Sequence, residues 1–255
     1  MKPPFDLRSL YTLFPISLVQ AGLGGLVEQA HMAGTKMIPA VSYVLSLLAL
    51  KLLDKERKSH ITDWNFQEAL GWFAGLNVPP KTTAATDYAY RLADGVPNRL
   101  LAHWVRAVYA ILCPEGAQAF ALDFHAIPHK GEDTGLENHY VPMRGKAVQS
   151  VLTCFARALD APMLCYAQAD VVLTVLANGC YRWLSQRLKG CERMEPKQLY
   201  RKFVETGGHL TVRGEKLVVS FDRRAHNPVI AQAHLDHDAP PIPWLQNKRL
   251  RLEFK

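Results

Sequence analysis

The chain has 255 residues, 49% of them hydrophobic, enough to bury a sizeable core in one large domain or two small ones. Its longest apolar stretch, Met37 to Leu53, is interrupted by Pro39, Ser42, Ser46 and Lys51. That falls short of the ~20 apolar residues a membrane span needs, so a core helix and no membrane partner are expected. The net charge of +7 lies wholly in residues 181–255, which carry 15 Lys/Arg against 8 Asp/Glu, whereas residues 1–180 carry 15 of each. A polyanion such as DNA would be drawn to that end; a solvated basic surface is the alternative.

In chain order, the N-terminus lacks the charged-then-apolar pattern of a signal peptide and has Pro3 and Pro4 early, so a cytoplasmic location is expected. Residues 5–55 read as helical, with a helix-like turn at Leu26, Ala30 and Ala33. A long helix then runs from Val41 to about Lys55, ended by the cluster Asp54-Lys55-Glu56-Arg57-Lys58. Thr62 or Asp63 can cap the next helix, which carries Phe66, Leu70 and Phe73 on one face. Gly75-Leu76-Asn77-Val78-Pro79-Pro80 breaks it, and Thr82 or Thr83 caps a further helix through Tyr90, Leu92 and Ala93. Two helices joined by a short turn are usually packing; read as a helix-turn-helix, they would offer Lys81, Thr82, Thr83 and Arg91 to DNA. A last helix, Val96 to Leu112, precedes Cys113-Pro114-Glu115-Gly116.

The character changes at residue 119. Ala119 to Pro128 reads as a buried strand with one carboxylate, Asp123, set into it, and His125 on the same face. A buried Asp needs a cation, a metal or several donors, so Asp123 is either a metal ligand or a side chain satisfied by neighbouring groups. His125 and His129 could join it around a transition metal, which would suit a small metal-dependent hydrolase; ordinary hydrogen-bonding histidines are the commoner case. Strands are expected at Gln149 to Ala158 and Met163 to Ala169, completing an antiparallel meander. From Asp170 the spacing of Val172, Val175, Leu176, Cys180, Trp183, Leu184 and Leu188 is helical. A helix from Pro196 to Glu205, a hairpin (His209 to Val212, Lys216 to Phe221) and a final strand, Arg249 to Phe254, follow. Arg223-Arg224-Ala225-His226 can grip phosphate or form a solvated turn. Trp183, Trp244 and Tyr181 suit core or lid positions better than base stacking. The five cysteines, odd in number and without a CxxC pair, suit buried free thiols.

Three stretches together resemble a bacterial insertion-sequence transposase of the DDE type. They are Ile38 to Lys51 running on through Gly75 to Thr83, Leu122 to Gly131 with Leu136 to Val141 behind it, and Arg223 to Pro228 followed by Ile242 to Leu245. The resemblance implies an α+β fold: a helical, DNA-contacting region over 1–116, then an RNase H-like core over 117–255, with a mixed sheet, C-terminal helices and a hairpin. In that family three acidic residues hold two Mg²⁺ or Mn²⁺ ions for phosphodiester transfer. Asp123 matches the first acid. After the third strand, Ala169-Asp170 passes straight into Val171 to Asn178, which resembles the region beyond the family's catalytic Glu. The segments bearing the second Asp and the Glu are missing, as in an internally deleted transposase; Asp170 or Glu192 as replacement ligands is the alternative. One carboxylate cannot organise two divalent ions, so DNA binding without productive metal chemistry is expected. Partners would be double-stranded DNA at element ends and, as a regulator or inhibitor, a second copy or a full-length transposase.

Overall fold

The structure, a computed structural model, describes residues 10–55, 60–62, 68–93, 95–113, 115, 119–129, 136–159, 163–166 and 172–254. The fold is α+β. The N-terminal half is helical: α1 (Leu10–Gln20), α2 (Leu23–Gln29), α3 (Ala40–Leu52), α4 (Glu68–Phe73), α5 (Thr82–Arg91) and α6 (Val96–Leu112). Strands β1 (Phe120–Pro128), β2 (Asn138–Val141), β3 (Lys146–Ala158) and β4 (Met163–Tyr166) form one sheet. Then come α7 (Val172–Arg187), α8 (Pro196–Leu199), a π-helical turn (Tyr200–Val204), β5 (Gly208–Arg213), β6 (Lys216–Phe221), α9 (Asn227–Gln232) and β7 (Arg249–Phe254). Among the described residues no helix is long and apolar enough to cross a membrane.

Helix α7 organises the core. Its residues Val175, Leu176, Cys180, Trp183 and Leu184 are buried at i, i+1, i+5, i+8 and i+9, a stripe wide enough to meet α1, α3 and α6 at once. Gly179 lets α6 approach: a Cβ there would lie 3.1 Å from the Trp104 indole nitrogen. Tyr181 and Trp183 are buried in the core and Trp244 packs against it partly buried, all three with their polar ends satisfied. The Tyr181 hydroxyl donates to Leu52 O (2.6 Å), Trp183 Nε1 to Gln20 Oε1 (2.9 Å) and Trp244 Nε1 to Phe73 O (2.9 Å). Phenol ionisation at Tyr181 is pushed well up by burial. The same core takes in Leu217, Val219, Phe221, Leu250 and Leu252, so the second sheet is bound to the helices by one continuous apolar cluster.

That second sheet is the expected hairpin enlarged. β5 and β6 pair antiparallel, and β7 adds parallel to β6, which α9 and the turn at Pro243–Leu245 make possible by carrying the chain across. The first sheet is antiparallel throughout: β3 pairs with β1, β2 and β4. β2 and α9, four and six residues long, were not among the expected elements. The expectation of a buried first strand is overturned. Leu122 and Phe124 are 65% exposed and Phe120 48%, and no β1 residue enters the core. Among the described residues β1 pairs with β3 alone, and the exposure of Phe120, Leu122 and Phe124 shows that no described side chain covers that face.

Cys113, Cys154, Cys180 and Cys191 are free thiols. Burial is the main cause that pushes the Cys180 thiol up to about 12 from 9.0. Since its folded value is the higher, the unfolded chain loses this proton first, and stability falls as pH rises from 9 towards 12. Native protein treated with a thiol alkylator at pH 9 will therefore leave Cys180 unmodified, and unfolded protein will not; mass spectrometry of the Cys180 peptide reads the difference.

Candidate nucleic-acid interface

Asp123 stands on β1 opposite Phe155 of β3, exposed, with His125 on the same face. It has no ion-pair partner among the described residues. His129 is exposed just beyond the strand. Among the described residues no group of three His, Cys, Asp or Glu side chains comes together as a metal site. Glu192 is committed elsewhere: its carboxylate accepts the Gly190 N–H (2.9 Å), and its pKa is lowered by hydrogen bonds from its own backbone N–H and that of Gly190. Asp170 and residues 130–135 lie outside the described residues. The described side chains thus do not fit a pair of divalent ions, which need several hard oxygen ligands each.

The residues proposed for DNA contact fall in two separate places. Lys81 and Thr83 are exposed at the start of α5, while the Thr82 hydroxyl shares a 2.6 Å hydrogen bond with Thr62. Arg91 lies at the far end of α5, about 14 Å away along the axis. Its guanidinium sits 5.0 Å from the Tyr43 ring and 5.7 Å from the Tyr88 ring, two rings that are themselves stacked at 4.4 Å. Cation–π packing thus engages Arg91 in joining α5 to α3. Arg223 and Arg224 are exposed in the turn after β6, and the His226 ring meets Phe203 edge-on at 5.6 Å.

A third basic set emerges only in the fold. One face of α7 (Thr174, Ala177, Asn178, Tyr181, Arg182) forms the floor of two adjoining hollows that share Asn178, Tyr181 and Pro196. The first, about 190 Å³, is walled by Arg157, Arg193, Met194 and Glu195. The second, about 260 Å³, is walled by Lys51, Asp54, Lys55, Lys197 and Tyr200. Together they make a groove with the cations Lys51, Lys55, Arg157, Arg182, Arg193 and Lys197 against the acids Asp54 and Glu195. Arg157 Nη2 pairs with Glu195 Oε1 at 3.5 Å, both side chains more than half exposed, so the pair is weakly held. Arg182 is half-buried and burial lowers its pKa, yet it donates through Nη1 to Glu192 O and Ser185 Oγ. Its Nε–H is buried and finds no acceptor among the described residues. Such a donor is costly to bury unpaired.

The C-terminal charge excess carried half of this signal, since Arg182, Arg193 and Lys197 belong to it. Lys51, Lys55 and Arg157 come from balanced stretches and join only because α3 and β3 both end beside α7. No protein-family model, curated protein or solved structure matches the chain.

Proposed function

We propose that the protein is a DNA-binding member of the insertion-sequence transposase type that no longer cuts DNA. The observation that carries this reading is the α7 groove, with six cations against two acids, standing in the same chain as an exposed Asp123 that belongs to no metal-ligand group among the described residues. Phosphate binding needs cations and donors but no metal, so the first survives where two-metal chemistry does not. The RNase H-like origin is supported by the antiparallel pairing of β1, β3 and β4 and by the outer edge of β1, which no strand covers among the described residues, as expected of a sheet that has lost a strand. A protein that occupies DNA ends without cleaving them would act as a regulator of full-length transposases.

Incubation with duplex DNA carrying terminal repeats, in Mg²⁺ or Mn²⁺, tests the inactive half of the reading. The DNA is expected to stay intact, with the wild-type chain and with Asp123→Ala alike. Robust cleavage abolished by Asp123→Ala would overturn it.

A further inference from the structure

We propose that β1 pairs with β1 of a second copy of this chain, antiparallel about a two-fold axis through Phe124, making the protein a homodimer. The backbone sets the geometry. The Leu159 N–H donates to Ala119 O (3.0 Å) and the His129 N–H to Gln149 O (2.9 Å), so odd-numbered residues of this strand turn their backbone groups towards β3. Phe120, Leu122, Phe124 and Ala126 therefore direct N–H and C=O outward, and Pro128 directs a carbonyl. β2 does not cover that edge: the Ser150 N–H donates to Glu137 O, which places β2 on the opposite side of β3. A nine-residue edge of this kind, with apolar side chains standing from it, is a template for another strand.

The side chains then select the occupant and the register. With the axis through Phe124, all nine residues find partners: Phe124 faces its own copy, Leu122 faces Ala126, and Phe120 faces Pro128. That face is apolar throughout. On the other face Ala121 meets Ile127, and Asp123 meets His125 of the second copy, twice by symmetry. These are non-hydrogen-bonded pairs, in which opposed side chains come closest. The hydrogen-bonding pattern restricts the neighbouring two-fold registers to axes through Asp123 or His125. The first sets Asp123 against itself, and the second sets His125 against itself and Asp123 against Ile127. Charge complementarity thus favours the one register that also pairs the whole strand. The interface is isologous and closes at two copies.

Sedimentation velocity on the full chain at tens of micromolar tests this, with circular dichroism to confirm folding of each variant. A dimer is expected. His125→Glu, which opposes two carboxylates at both symmetric positions, should weaken it by about tenfold or more. Adding Asp123→Lys to His125→Glu should restore most of that loss, and Phe124→Lys, which sets two ammonium groups together on the axis, should leave a folded monomer. A monomeric wild type, open-ended aggregates, or a dimer indifferent to His125→Glu would overturn the proposal. DNA binding does not enter this readout, so the two readings fail separately.

Discussion

Replacing Gly75 by Ala is expected to destabilise the protein by about 3 kcal/mol, a large part of the roughly 5–15 kcal/mol that holds a typical domain folded. Gly75 ends α4 in the left-handed region at φ +72°, with its N–H donating to Trp72 O and the next N–H, of Leu76, to Gly71 O (2.8 Å). This is a Schellman cap, and a side chain at its left-handed position costs about 1 kcal/mol. Space is the larger problem. A Cβ on Gly75 would lie 2.4 Å from the Trp244 carbonyl oxygen, and that turn is held by the Trp244 indole donating to Phe73 O. Relief requires backbone movement at a crowded contact, which costs about 1–3 kcal/mol. Gly24→Ala is the control: it lies in α2 with nothing within 4 Å of the added methyl and should be neutral or stabilising. Urea unfolding midpoints of the two variants decide it; equal midpoints would contradict the described contact between α4 and the Pro243–Leu245 turn.

Reversing two charges in the α7 groove, Arg193→Glu with Lys197→Glu, is expected to reduce affinity for duplex DNA by roughly a hundredfold at constant salt. Each lost cation–phosphate contact costs about 1.5 kcal/mol, near tenfold. Both side chains are exposed, so folding should be unaffected. The same reversal at Arg223 and Arg224, in the turn after β6, should cost less, because neither residue lines the groove. Fluorescence anisotropy with a labelled duplex measures both. A larger loss from Arg223 and Arg224 would move the interface from the groove to that turn.

Much of the fold was legible because its signals are local. The 3.6-residue apolar spacing of α6 and α7 located both, and β6 and β7 fall on the residues that alternation and turn chemistry indicated. β2 and α9 escaped because four and six residues carry too little pattern. The mistake over β1 has a different origin. Phe120, Leu122, Phe124 and Ile127 state that a strand wants cover, but whether cover arrives depends on segments elsewhere in the chain. The site was read least well. Asp123 stood out as a charge within an apolar run, whereas the groove is assembled from α3, β3, α7 and α8, whose basic residues lie up to 146 positions apart between Lys51 and Lys197. No short motif spans that distance.

The most direct measurement is the salt dependence of affinity for duplex DNA, recorded with and without Mg²⁺ and with the DNA recovered intact afterwards. The groove's six cations less its two acids neutralise about four phosphates, which predicts a log–log slope of about −4, unchanged by the metal. A slope near zero, absent binding, or strand breaks that require Mg²⁺ would contradict a protein that grips DNA without cutting it.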